Sequence, residues 1–564
     1  MVYTMDIHSA TIQGYKHKEK STMVAILLLL NLFVFSFNAQ SAVHSFAAPS
    51  DHDFSYMKIV NDAADLPLED KYDYIIIGGG TAGCPLAATL SANYSVLVLE
   101  RGSSPIAYPN VLLEEGILSN LMQEDDGKTT PAQRFKSEDG VANVRGRVLG
   151  GSSMINIGFY SRAEREFYVK SGIEWDMDLV NKAYHWVENT VVSLPNSAPT
   201  NWQSDVKEAL LEVGVGPDNG FSLDHIIGTK VGGSIFDEHG RRHGAVELLN
   251  RGNPKNLRVG VHATVDRIIF SSEGSSISAI GVIYSDSDGT SHRAFVRGKG
   301  EIILSAGAIG SPQLLLLSGV GPPSYLSSLK IPVVHPQPHT GNFMYDNPRN
   351  FINILSGFTL KPSTAKIVGI TDQFYIEALS STPISSTPYS LYPDPDQQIK
   401  INSSFGAIVM KPKGPLSYGN LKLQSSSDVR IGPNVHFNYF AHPLDLSRCV
   451  SGVKKIGDLL NTKSLKAFKG TDGYKFFGPT LPLNHTDDAS FAQFCRDTVS
   501  TFWHYHGGCL VGKVVDSSLR VIGIDALRVV DASTFNFSPG TNPQATIMML
   551  GRYIGLKILE QRSS

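Results

Sequence analysis

The chain has 564 residues, 42% hydrophobic and 18% charged, with 49 basic against 52 acidic side chains and 4 Cys. At roughly 150 residues per domain, that is three to four domain-sized units or two large interleaved ones, each with ample core. A net charge of -3 offers no strong field for nucleic acid or an anionic membrane, the apolar content excludes disorder, and the few Cys exclude a disulfide-built scaffold.

Lys16, Lys18 and Lys20 precede an apolar run of 14 residues, Val24–Phe37, broken only by Asn31 and Ser36. This reads as a secretory signal peptide over residues 1–41, with Ala39 and Ser41 as the small residues of a cleavage site. A retained anchor is the competing reading, but a membrane span needs about 20 residues. Translation starting at Met1 or at Met23 fits equally. No later segment reaches membrane length, so no stable membrane association is expected after cleavage. Entry to the secretory route, toward the extracellular space or the vacuole, permits disulfides and N-glycans; sequons stand at Asn93, Asn402, Asn484 and Asn536.

The β-branched run Tyr74–Ile77 leads into Gly78-x-Gly80-x-x-Gly83, then an Ala- and Leu-rich stretch, then a second apolar run, Ser95–Leu99, ending in Glu100. Strand, turn, helix and strand in this order place a dinucleotide pyrophosphate at a helix N-terminus. Gly78 permits the tight turn, Gly80 lets the backbone approach the phosphates, and Gly83 lets helix and strand pack closely. Glu100 follows Gly78 by 22 residues, where a carboxylate can accept ribose hydroxyls, so FAD or NAD is favoured over NADP. Thr81 and Ala82 within the turn and Arg101 after the acid complete this group of expected cofactor contacts.

Further along, Val265–Ser271, Ala279–Tyr284, Ala294–Arg297 and Glu301–Ser305 alternate apolar and polar residues, as short strands returning to one sheet. From about residue 345 the chain turns to Ser, Pro and Thr, and the Pro-rich stretch Ser380–Gln398 reads as a long loop able to cover a site. Asn542–Leu559 carries near-helical spacing and is expected to close the chain as a helix.

Three further motifs decide which dinucleotide is meant. Arg145-Gly-Arg-Val-Leu-Gly-Gly-Ser-Ser-Met-Ile-Asn156 contains a turn whose N–H groups and hydroxyls suit a phosphate or a flavin edge. Gly307-Ala-Ile-Gly-Ser-Pro-Gln313 runs into Leu314–Leu317, and Val529-Val-Asp-Ala-Ser533 is followed by Asn542-Pro-Gln-Ala-Thr546. With the Gly turn, these motifs resemble the glucose-methanol-choline (GMC) family of FAD oxidoreductases over essentially the whole mature chain. Within that family the chain looks like the secreted plant branch of HOTHEAD-type proteins and mandelonitrile lyases. The resemblance implies an α/β protein with a Rossmann-like FAD domain over 70–160, 225–345 and 505–564. It also implies an antiparallel-sheet substrate domain over 161–224 and 346–504. Arg147, Gly151, Ser152 and Asn156 are expected at the cofactor, with Val265 beside the adenine and Asp531 and Ala532 near the phosphate and ribityl chain. Trp503, Pro543 and Gln544 are expected near the flavin ring.

The run Thr501-Phe-Trp-His-Tyr-His-Gly-Gly-Cys509 suits proton transfer, because His titrates near neutrality and aromatic walls exclude water. No metal is expected: His504-x-His506 supplies two ligands, and no nearby acid or Cys completes a tetrahedral set. His506 reads as a satisfied strand histidine. His504 matches the family's general base facing the flavin. The second position before the flavin, His in some members and Asn in others, is Asn542, which can hold an oxygen but cannot relay a proton at ordinary pH.

The resemblance therefore implies oxidation of an alcohol to an aldehyde or ketone, with His504 as base. Hydroxynitrile cleavage of an (R)-mandelonitrile-like cyanohydrin on the same fold, and flavin binding without turnover, are the alternatives. Against the lyase stand Asn542, Phe502 where the lyases have Tyr, and Glu377 where they have a pocket Cys. Glu377 itself reads as a solvated loop acid. Cys449 and Cys495 match positions paired in the lyases, while Cys84 and Cys509 read as buried packing. Oligomeric state is not legible from these residues.

Overall fold

The computed structural model describes residues 52–117, 120, 126–127, 129–193, 200–273, 276–381 and 404–563. The signal-peptide reading, the sequon at Asn402 and most of the Ser380–Gln398 stretch lie outside the described residues.

Glu69–Ile77 is a strand whose last four residues are all buried, and the all-apolar Val96–Leu99 lies parallel to it. Strands buried on both faces read as continuous apolar runs, which is why alternation is missing here. Between them runs the helix Gly83–Leu90, buried along its whole length. These strands centre an eight-stranded sheet in the order Val60–Asp62, Leu257–Val261, Val96–Leu99, Glu69–Ile77, Ser291–Leu304, Ser276–Ser285, Thr264–Glu273, with Leu527–Val529 also on Ser291–Leu304. The strands expected between Val265 and Ser305 thus do return to one sheet. Ala294–Arg297 and Glu301–Ser305, read as separate, form one strand, Ser291–Leu304, whose register shifts between Val296 and Glu301.

A second sheet has seven strands, ordered Ser500–Thr501, Pro348–Leu355, Phe405–Pro412, Phe374–Ser381, Ile367–Ile370, Gly228–Val231, Asp218–Phe221. All its pairings are antiparallel except the last. Gly228–Val231, which the expected boundaries put with the cofactor segments, pairs with Ile367–Ile370 in this sheet.

In the second sheet the period of two decides which side chains see which partner. Phe374, Ile376 and Ala378 join a core with Trp202 and Leu210 of the helix Asn201–Glu212 and Val453 and Ile456 of Pro443–Leu460. Tyr375 and Leu379, on the other face, join the core that contains the first sheet. Phe405, Ala407 and Val409 share that face on the neighbouring strand, as does Phe351 on the next.

The last helix, Gln544–Ser563, begins two residues later than expected, after Asn542 and Pro543. It packs on Gly83–Leu90 through Gly551 and Gly555: a Cβ at Gly551 would lie 2.2 Å from the Ala82 carbonyl oxygen, and one at Gly555 2.7 Å from Thr89 Cβ. Helices Pro443–Leu460 and Asp488–Asp497 are joined by the disulfide Cys449–Cys495, as the resemblance implied. Cys84 and Cys509 are free and buried, and burial pushes both thiols up. Asn93 and Asn484 are exposed, whereas the Asn536 amide donates to the Val511 carbonyl at 3.1 Å. No helix among the described residues is long and apolar enough to cross a membrane.

Candidate active site

The turn after Glu69–Ile77 behaves as its spacing requires. Gly78 has φ +101°, and a Cβ there would meet the Ser305 carbonyl oxygen at 2.5 Å; a Cβ at Gly83 would meet the Gly78 oxygen at 2.0 Å. Gly80 differs. A Cβ there would find no protein atom nearer than 3.8 Å, so protein packing does not demand its smallness and the space beside it is left open. Glu100 is buried, its oxygens accepting from Gly79 N at 3.1 Å and Gly102 N at 2.8 Å, and burial raises its pKa. The Arg101 N–H also bonds this carboxylate, so of about four lone-pair positions one is left for a further donor.

One cavity of about 1190 Å³ runs from this turn to the second sheet. Gly78, Gly80, Thr81, Ala82, Glu100 and Arg101 line it. So do Arg147, Gly151, Ser152, Asn156 and Val265, and at the other end Trp503, His504, Asp531, Ala532, Asn542, Pro543 and Gln544. Gly83 does not line it; its place is under the turn. Several of these side chains are fixed before any ligand arrives. Asp531 accepts from Gly307 N at 2.9 Å, Ser311 Oγ at 2.5 Å and Ser533 N at 2.8 Å. Arg147 Nε donates to the Thr130 carbonyl at 2.9 Å, and Arg101 Nη1 to Gln133 Oε1 at 2.8 Å. Asn156 Nδ2 donates to Gln544 Oε1 at 2.9 Å, tying the Ser-Ser turn to the last helix. An open cradle at Gly80, an acceptor at Glu100 and a long cavity ending at an imidazole fit a dinucleotide that carries a ring to His504.

His504 is buried, with its ring 4.6 Å from that of Phe502, centroid to centroid. Its backbone N–H donates to Asp346 Oδ1 at 3.1 Å, and Asp346 is itself buried, its pKa raised to about 7 by desolvation. Trp503 adopts φ +60°, an uncommon conformation for a bulky residue, and Arg349 lies 4.8 Å over its ring. His504 Nδ1 is buried with no hydrogen-bond partner. Burial first, then the charges of Lys411, His506 and Arg349, hold the imidazole well below its usual pKa. It is therefore neutral at physiological pH, the state a base requires. His506 instead sits in the short strand His506–Gly507, stacked on Tyr345 and hydrogen-bonded through Nδ1 to the His504 carbonyl at 2.9 Å, as its plain reading expected.

Three residues at this end were missed or misread from sequence. Glu377 is no solvated loop acid: it lies in the strand Phe374–Ser381, 1% exposed, and lines the cavity. The correction follows from strand period, which gives it the face of Tyr375 and Leu379. Tyr375 donates to Glu377 Oε1 at 2.8 Å and reaches Asn542 Oδ1 at 3.2 Å. Desolvation raises Glu377 to about 7, against the Tyr375 and Asn542 hydrogen bonds and the charges of Lys411 and Arg349. Lys411, opposite Tyr375 in the adjacent strand, is buried and lowered to about 8 by desolvation, and its Nζ donates to the Gly540 carbonyl at 2.7 Å. Arg349 is buried too and lowered to about 10. For Lys411 the available signal was one cation in an otherwise apolar strand, Phe405–Pro412; Arg349, followed by Asn350 and Asn353, carried no such signal.

Among the described residues one group could hold a metal ion, His52, His243 and Glu247, with donor atoms within 4.8 Å of one another. None of the three lines the cavity.

The chain is 59% identical to (R)-mandelonitrile lyase 1 of Prunus serotina, covering 97% of each. It is 52% identical to Sinalpyl alcohol oxidase Nec3 of Nesocodon mauritianus, covering 96% of this chain and 98% of that protein, and 45% identical to Protein HOTHEAD of Arabidopsis thaliana. Pyridoxine 4-oxidase from Mesorbium loti shares the fold, with a TM-score of 0.72 at 20% identity over 86% of this chain and 99% of that one. The two sequence models of the GMC oxidoreductase family match residues 72–337 and 415–551, and the chain belongs to that family.

Proposed function

We propose that this chain is a secretory-route flavoenzyme that oxidises an alcohol to an aldehyde or ketone. Its cofactor part would be built from 70–160, 225–345 and 505–564, with the strand Gly228–Val231 given to the substrate part of 161–224 and 346–504. FAD fits the cavity. Glu100 would hold its ribose, the Gly78–Gly83 turn and Asp531 its phosphates and ribityl chain, and Trp503, His504 and Asn542 would face its ring. Bound there, FAD supplies the acceptor for a hydride leaving the carbinol carbon. His504 takes the hydroxyl proton. Asn542 donates an amide N–H to the same oxygen as negative charge develops on it.

The observation that carries this reading is a single neutral imidazole at the cavity end, beside an amide that cannot titrate. The test is anaerobic addition of primary aryl and aliphatic alcohols to the purified yellow protein. Bleaching of the flavin absorbance is expected, and its absence across the panel would remove the reading.

Cyanohydrin cleavage is favoured by one observation beyond the high identity to mandelonitrile lyases. Arg349 and Lys411, both buried, place positive charge near His504, a field that would steady departing cyanide without a second imidazole. Glu377 opposes that field from the same face. Cyanide release from mandelonitrile, measured against a His504→Ala control, decides between the two.

A further inference from the structure

In the second sheet, Phe351, Val409 and Glu377 form one cross-strand row on the cavity side, with Tyr375 opposite Lys411 in the next row. Of these strands Arg349 and Glu377 line the cavity, together with His504, Asn542 and Gln544, and the oxidation chemistry of His504 and Asn542 makes no use of the carboxylate.

Above about pH 7, where Glu377 is mostly ionised, its carboxylate accepts only, with about four lone-pair positions, and the comparison of substrates belongs at about pH 8. Tyr375 fills one position on Oε1, and the Asn542 amide also hydrogen-bonds the carboxylate. Arg349 and Lys411 act on it through charge. Glu377 lines the cavity, so its unfilled positions are offered to whatever occupies that space. A buried acceptor left unfilled is costly, and a ligand donor that fills it gains correspondingly. The same two cations make a third one unwelcome, so the donor that suits this carboxylate is uncharged. Because Asn542 is its neighbour and also grips the reacting oxygen, the donor must sit close to that oxygen.

We propose that Glu377 is the specificity-determining acceptor of the substrate cavity, and that the preferred substrate is an alcohol with a second, uncharged hydroxyl close to the reacting one. The inference rests on the alcohol-oxidising reading and narrows its substrate class.

The experiment compares 1-phenylethane-1,2-diol with 2-phenylethanol as reductants of the flavin, in the wild-type holoprotein, Glu377→Gln and Glu377→Ala. A third alcohol, 2-amino-2-phenylethanol, carries an ammonium in place of the second hydroxyl. Binding is read separately, from the shift of the flavin spectrum on titration with mandelamide or 2-phenylacetamide, which carry an unreactive carbonyl at the reacting carbon and do or do not carry the benzylic hydroxyl. The wild type is expected to favour the diol in kcat/KM, chiefly through KM, by about 10- to 100-fold, the range of a hydrogen bond to a charged group. The amino alcohol is expected to gain nothing. Glu377→Ala should erase the diol-to-monool ratio of kcat/KM, whatever it does to the absolute rate through its contact with Asn542, and Glu377→Gln, whose amide oxygen still accepts, should keep part of that ratio. Equal kcat/KM for diol and monool in the wild type, or a preference that survives in Glu377→Ala, would overturn the proposal. If neither alcohol bleaches the flavin, the oxidation reading has failed. The two amides then still test Glu377: tighter binding of mandelamide, lost in Glu377→Ala, supports the acceptor, and equal binding contradicts it.

Discussion

The base role proposed for His504 rests on what surrounds it. Desolvation and two nearby cations depress its pKa well below 6.5, and its Nδ1 has no partner to lock a tautomer. The reactive form is the neutral one, populated at every pH above that depressed value. In Glu377→Gln, where the neighbouring carboxyl that titrates at about 7 is gone, kcat/KM for 2-phenylethanol should therefore keep no acid limb centred on the ordinary imidazole value; a limb at 6.5 that persists in this variant and disappears in His504→Ala would contradict this environment. Replacing His504 with Ala should cost about 10²–10⁴-fold in kcat while flavin stays bound, since general-base catalysis is worth that much. At this scale sequence reading worked where a residue lay in a dense motif, as in the Trp503–Gly508 run. It failed for Glu377 and Lys411, single charged residues that strand pairing brings near one another, and for Arg349, which pairs with Ser500.

Elements hold the cofactor cradle through close backbone approach rather than through side chains. The last helix presses on the nucleotide helix at Gly551, where a Cβ would lie 2.2 Å from a main-chain oxygen that cannot swing away. Gly551→Ala should destabilise the protein by about 1–3 kcal/mol and speed flavin loss, as overpacking does. Gly432, with open space around it, is the control. Thermal unfolding followed by flavin fluorescence reads both. Legibility here followed the strength of the local pattern. The Gly turn and flanking strands carry their own chemistry and were readable, whereas Phe374–Ser381, buried on both faces beside a Ser- and Pro-rich stretch, gave no alternation to read. The break expected at Gly298 and Gly300 was overridden by pairing with Glu69–Ile77 on both sides of the register shift.

Across the whole molecule, one apolar core joins the first sheet to the inner face of the second, and a separate core backs the second sheet under the helices bridged by Cys449–Cys495. Removing that bridge should lower stability by about 2–4 kcal/mol, in the chain-entropy view of a 46-residue loop. Denaturant unfolding of Cys449→Ser/Cys495→Ser should show an earlier loss of the helices than of bound flavin; coincident loss with unchanged midpoint would contradict a structural role. The cavity between the two sheets is where the chain's chemistry resides, and the first sheet's motifs announced only its cofactor half. In the proposed reaction an alcohol's C–H bond breaks there once His504 has taken the hydroxyl proton. The most direct measurement is anaerobic stopped-flow bleaching of the flavin by a primary aryl alcohol and by its α-dideuterated form. A rate several-fold slower with deuterium, in the wild type and not recoverable in His504→Ala, is expected; a flavin that stays fully yellow under either alcohol would contradict the account.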